Sequence, residues 1–126
     1  RVLIEMSFRV EYVGLREVLF QMQARGYQPV LAHPERYRYF WETPEVFGDL
    51  SSRGCELQLN MGALFGFYGP EAQHSAKYLL EKHQYDFIGT DLHYRGQLDK
   101  IQAHLGHPLV QKAMRYEWKN KMLNKS

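Results

Sequence analysis

Only one cysteine, Cys55, occurs in the 126 residues. No intrachain disulfide can therefore form, which suits a reducing compartment. Cys55 stands in an alternating apolar run, where a packed thiol is expected rather than a nucleophile. Long hydrophobic runs are missing too: no stretch approaches the ~20 residues that span a bilayer. No secretory leader pattern opens the chain, so a cytoplasmic protein without a membrane span is expected. Charge of one sign is also scarce. The formal net charge is +2, which gives no electrostatic argument for nucleic acid. Lys112, Arg115, Lys119, Lys121 and Lys125 crowd the last stretch, and a solvated helix face is the expected reading. Linkers and low-complexity segments are absent. With 44% hydrophobic and 24% charged residues, the chain reads as one compact domain.

What is present is an alternation of two periods. Val2 to Ser7 is rich in branched apolar residues and predicts a buried strand. Leu15, Val18, Leu19 and Met22 recur at helical spacing, with Gly26 as the stop signal. Pro29 to His33 predicts a second strand. Thr43 as N-cap and Pro44 at the first turn predict a second helix ending near Gly54. Cys55 to Asn60 predicts a third strand, and Ala72, Ala76, Leu79 and Leu80 mark a third helix. Phe87 to Asp91 predicts a fourth strand. Val110, Met114, Trp118 and Met122 step by four residues, as in a final amphipathic helix. Repeated strand-then-helix units argue for parallel strands and an α/β class. The pattern fits an open sheet or a piece of a (β/α) barrel equally well.

The unusual polar residues fall at matching places. Glu5 lies late in the first strand, His33 ends the second, Asn60 the third and Asp91 the fourth, with His93 two residues later. Ligand sites of parallel α/β folds form at the C-terminal ends of strands, so these residues are expected to converge. A carboxylate among Leu3, Ile4 and Met6 needs a partner; an arginine would serve, and so would a metal. His33 could be a satisfied core histidine. Together one Glu, one Asp and two His suit Zn²⁺, Mn²⁺ or Fe²⁺. Asn60 is expected to support the ligands from behind. Arg36 lies three residues past His33, where a guanidinium can hold a phosphate by two parallel hydrogen bonds; a surface arginine is the alternative. Arg95, two residues past His93, has similar but weaker credentials. His74, His83, His104 and His107 are expected to face solvent or cap helices.

The blocks Val2-Leu3-Ile4-Glu5-Met6, Leu31-Ala32-His33-Pro34-Glu35-Arg36-Tyr37, Leu57-Gln58-Leu59-Asn60 and Ile88-Gly89-Thr90-Asp91-Leu92-His93 resemble the polymerase-and-histidinol-phosphatase (PHP) class of bacterial tyrosine phosphatases associated with capsular and exopolysaccharide clusters. The His-Pro-Glu-Arg-Tyr block is the most specific. The resemblance implies a distorted (β/α) PHP barrel with a trinuclear, commonly manganese-activated centre. It implies hydroxide attack on phosphotyrosine of bacterial tyrosine autokinases. It assigns Glu5, His33, Asp91 and His93 to metal, and Arg36, assisted by Arg95, to the substrate phosphate. The family's N-terminal His-x-His motif has no counterpart in this sequence, so residues 1–126 are expected to be the C-terminal part of such a domain and inactive alone. Two rival expectations are another PHP phosphoesterase, such as a histidinol phosphatase, and a non-catalytic fragment forming a homo-oligomer through its sheet edges.

Overall fold

The computed structural model describes residues 1–89, 106–116 and 118–119. Four short strands form one sheet: β1 (Val2–Ile4), β2 (Pro29–Ala32), β3 (Glu56–Asn60) and β4 (Phe87–Gly89). All three pairings are parallel and the spatial order is β1-β2-β3-β4. Helices α1 (Leu15–Ala24), α2 (Val46–Ser52) and α3 (Pro70–Glu81) connect successive strands, and α4 (Pro108–Met114) follows. The α/β reading with parallel strands and alternating helices holds. The order has no reversal, so connections of one hand carry the helices to one face. That is the winding of a (β/α) barrel rather than of a doubly wound sheet.

The core lies between the sheet and those helices. Leu15 and Leu19 of α1, Phe47 and Leu50 of α2, and Ala76, Leu79 and Leu80 of α3 pack with Leu31, Leu57 and Leu59 of the strands. All four residues that marked the third helix are completely buried. Gly26 closes α1 at φ +85°, a conformation glycine adopts without steric cost. Cys55 is buried, and desolvation pushes its thiol up to about 11. It is a packed thiol, as expected.

Four details differ from the sequence reading. β1 is shorter than expected and exposed: Leu3 keeps 58% of its surface. It is the outer strand of the sheet, with β2 as its neighbour among the described strands. The second helix begins at Val46 and has no side-chain cap. The Thr43 carbonyl, not its hydroxyl, accepts from the Val46 N–H at 3.1 Å. The last helix ends at Met114, which is 69% exposed, while Val110 and Ala113 are buried. Trp118 lies beyond that helix, and its indole N–H donates to the Ala113 carbonyl at 2.9 Å, satisfying a helix-end acceptor. Met122 falls outside the described residues. Lys119, finally, is exposed, as expected of a solvated face, but its charge is paired. Its Nζ stands 3.1 Å from Glu56 and 2.9 Å from Asp86, and Arg1 holds the other oxygen of Glu56 at 3.0 Å. These charges clasp the N-terminal ends of β1, β3 and β4, the side away from the strand C-termini. His107 does cap α4, its Nδ1 accepting from the Leu109 N–H at 3.1 Å.

Candidate functional site

Parallel pairing of Ile4 with Leu31 brings the residues just past β1 and β2 side by side. Oε1 of Glu5 lies 3.3 Å from Nε2 of His33. Glu5 is 62% exposed at its side chain and His33 only 9%, so the carboxylate is not desolvated as the sequence suggested. His33 is the partner it was expected to need, not an arginine. The histidine backbone is left-handed, at φ 55° and ψ 48°. That conformation is uncommon for a non-glycine residue and costs roughly 1–3 kcal/mol. Its surroundings hold it. The His33 N–H donates to the Gln58 carbonyl, and its carbonyl accepts from the Arg36 N–H, both at 3.0 Å. Pro34 then starts a tight 3-10 turn over Pro34–Arg36, its fixed φ suiting the first helical position. The strained residue reverses the chain so that Arg36 returns over the strand ends.

The Glu5–His33 pair fits a shared cation on donor chemistry. Two donors each about 2.1 Å from one ion stand roughly 3.0–3.4 Å apart in octahedral or tetrahedral geometry, and the observed separation is 3.3 Å. Carboxylate oxygen and imidazole nitrogen suit zinc, manganese or iron. No cluster of three or more metal-binding side chains occurs among the described residues. Asp91, His93 and Arg95 lie outside the described residues.

Arg36 is sandwiched between two rings. Its guanidinium carbon lies 4.1 Å from the Phe8 ring centre and 3.9 Å from that of Tyr68. Phe8 also meets His33 edge-on at 6.4 Å, so one ring abuts both the arginine and the candidate ligand. Among the described residues no carboxylate forms an ion pair with Arg36. The two rings contact the cation and, with no carboxylate paired to it, leave its N–H groups for an anion. Asn60 is 1% exposed, and its amide donates at 3.0 Å to the hydroxyl of Tyr68, the ring against Arg36. Its Oδ1 accepts from the Gly62 N–H at 3.0 Å, capping the turn that follows β3. Gly89 of β4 leaves room for Gln58, since a Cβ there would collide with that amide.

Sequence reasoning missed Glu35, Phe8 and Tyr68. Glu35 is wholly buried. One carboxyl oxygen accepts from the Asn60 N–H at 2.7 Å and the other from the Tyr85 hydroxyl at 3.0 Å. Burial pushes its pKa from 4.5 to about 7, against the lowering effect of those hydrogen bonds and of nearby Arg36. The same burial, with the Glu35 charge beside it, drives the Tyr85 hydroxyl well above its ordinary value. Glu35 thereby ties the turn carrying His33 and Arg36 to the ends of β3 and the lead-in to β4. The only signal for it was its place in the His-Pro-Glu-Arg-Tyr block. Tyr37 closes the block: its hydroxyl donates to the Ala32 carbonyl at 2.6 Å and accepts from the Met6 N–H at 3.3 Å, bracing β1 against β2.

Comparison with known proteins gives a consistent picture. Residues 1–123 match the family described as Capsular polysaccharide synthesis, CpsB/CapC. Tyrosine-protein phosphatase YwqE of Bacillus subtilis (strain 168) is 32% identical over 92 residues, covering 73% of this chain and 36% of that protein. Tyrosine-protein phosphatase CpsB of Streptococcus agalactiae is 28% identical over 96 residues, covering 72% of this chain and 40% of that protein. Among solved structures, one from the work on YwqE of Bacillus subtilis and CpsB of Streptococcus pneumoniae, described as unique metal-dependent tyrosine phosphatases, matches with a TM-score of 0.65 and 27% identity. It covers 85% of this chain and 47% of that one. The chain thus spans less than half the length of each of these relatives.

Proposed function

The chain belongs to the capsular polysaccharide synthesis CpsB/CapC family, and we propose that it forms part of the active site of a metal-dependent phosphatase acting on protein phosphotyrosine. The observation that carries this reading is the Glu5–His33 pair at 3.3 Å together with an Arg36 whose guanidinium lies against the rings of Phe8 and Tyr68. Glu5 and His33 are the proposed ligands here, and Asp91 and His93 the proposed ligands from the last motif. Manganese is the proposed ion, with zinc or iron as alternatives. Bound divalent ions supply polarisation of phosphoryl oxygens and an acidified water. Arg36, with Arg95 assisting, neutralises charge on the phosphoryl oxygens as it develops. A phenolate leaves readily because its pKa is about 10, so the chain needs no strong general acid. Cys55, buried and with a raised pKa, takes no part. A bacterial tyrosine autokinase is the proposed substrate.

The test is hydrolysis of a phosphotyrosine peptide by the intact protein with manganese, then with chelator. Chelator-sensitive release of phosphate, faster than from histidinol phosphate, is the expected result. Turnover that ignores chelator, or that prefers the alkyl phosphate, would rule the reading out.

The ligand assignment makes a separate prediction. Glu5 is largely exposed, so Glu5→Gln should change stability in chelator by no more than about 0.5 kcal/mol. Manganese should raise the Tm of the parent protein, as any ligand binding only the folded state does. That rise should shrink markedly in Glu5→Gln. An undiminished rise in the variant would remove Glu5 from the ligand set.

A further inference from the structure

Past the end of β1 the chain runs Glu5-Met6-Ser7-Phe8-Arg9, and these five residues line one hollow of about 490 Å³. Two of them belong to the site already described. Glu5 pairs with His33, and the Phe8 ring lies against Arg36. The hollow thus shares one wall residue with the candidate metal pair and one with the candidate phosphate-binding arginine. Arg9 is the only cation among the five.

Arg9 is exposed, and among the described residues its guanidinium forms no ion pair. Two carboxylates stand near it in the sequence. Glu5 turns to His33 instead, and Glu11 lines a neighbouring hollow whose walls omit Arg9. The backbone under Arg9 is fixed. The Ser7 hydroxyl oxygen accepts from the N–H groups of Arg9 and Val10 at 3.3 and 3.2 Å. The Ser7 carbonyl accepts from the Tyr39 hydroxyl at 2.7 Å, and the Phe8 carbonyl from the Arg38 N–H at 3.0 Å. Phe8 also stacks on Tyr37 at 5.5 Å. The chain just past Arg36 therefore holds this segment in place, while the Arg9 charge is left for a ligand. A guanidinium carries five N–H donors and stays charged at any working pH, so its natural occupant is a carboxylate or a phosphate. Glu5 and Arg9 are four residues apart, at most about 14 Å of extended chain. An extended substrate advances about 3.3–3.6 Å per residue, so side chains within a few positions of the phosphotyrosine fall in that span.

We propose that Arg9 forms an anion subsite beside the Glu5–His33 pair, where it binds a carboxylate or phosphate that the substrate polypeptide carries close to its phosphotyrosine. The inference rests on the phosphatase reading. Its test compares kcat/KM of the intact, manganese-loaded protein on three phosphotyrosine peptides whose flanking positions hold glutamine, glutamate or phosphoserine. p-Nitrophenyl phosphate is the reference. At least one anionic peptide should exceed the glutamine peptide by about fivefold, the upper end for an exposed ion pair. Preference for phosphoserine alone assigns the subsite to phosphate; preference for both anionic peptides assigns it to carboxylate as well. Added salt should shrink the ratio, since exposed charges are screened, and that measurement needs no variant. In Arg9→Ala the ratio should fall to near one, and in Arg9→Glu it should invert. Equal turnover of all three peptides by an active enzyme overturns the subsite alone, as does a preference that survives in folded Arg9→Ala. A loss in Arg9→Ala as large on p-nitrophenyl phosphate as on the anionic peptide places the guanidinium at the reacting phosphate and overturns the subsite too. Absence of all chelator-sensitive turnover instead sinks the underlying phosphatase reading.

Discussion

Replacing Glu35 by alanine should lower the unfolding free energy by roughly 2–6 kcal/mol at pH 5, because it strands two buried donors at about 1–3 kcal/mol each. Those donors are the Asn60 N–H and the Tyr85 hydroxyl. The cost should be smaller at pH 8, and the sign follows from linkage. Burial raises the Glu35 pKa from 4.5 to about 7 in the folded state. Between those values the native state binds more protons than the unfolded state, so stability falls as pH rises. Below pH 4.5 the carboxyl is protonated in both states and carries no penalty. Above pH 7 the folded protein bears the full cost of a buried charge, on the order of 3 kcal/mol. Glu35→Gln copies the neutral carboxyl in shape. It should flatten this part of the pH profile and be as stable as the parent, or more so, at pH 8. Urea unfolding in chelator at several pH values decides the matter. A glutamine variant with the parent's slope would show that Glu35 is not the titrating group.

Much of this architecture can be read from periodicity because the periodic positions are also the buried ones. Ala72, Ala76, Leu79 and Leu80 announced α3 and are wholly buried in it. The strand-end rule likewise placed Glu5 beside His33, because parallel pairing aligns those ends. Failures occur where tertiary contacts override local signals. Four-residue spacing continued past Met114 to Trp118, but Trp118 instead caps the helix end with its indole N–H. Lys119 looked like one charge in a solvated cluster, yet two acids 63 and 33 positions earlier in the chain claim it. Glu35 was invisible because glutamate is ordinarily a surface residue, and no local pattern says that Asn60 and Tyr85 will meet it. Phe8 and Tyr68 were missed for a related reason: an aromatic ring reads as core or surface until the cation it stacks on is known.

Arg36→Ala in the intact protein should lower kcat/KM for phosphotyrosine peptides by roughly 10- to 150-fold, the loss expected for a charged hydrogen bond worth about 1.5–3 kcal/mol. Geometry makes the upper part of that range the more natural expectation. Phe8 and Tyr68 hold the guanidinium between ring centres at 4.1 and 3.9 Å, so little side-chain freedom is left to lose when phosphate binds. The group is ordered before the substrate arrives, which directs its effect to the transition state. Arg36→Lys should rescue poorly, because an ammonium keeps the charge but neither stacks as a plane nor offers two parallel donors. Tyr68→Phe should have a smaller effect. It keeps the ring but removes the hydroxyl that accepts from Asn60, freeing the ring to shift. Metal content should stay at the parent level in all three variants, since Arg36 is assigned to substrate and not to the Glu5–His33 pair. Steady-state kinetics with metal analysis of the same preparations separates the roles. A folded Arg36→Ala protein that has lost its metal, or that hydrolyses phosphotyrosine at the parent rate, would show that the guanidinium does not hold the phosphate.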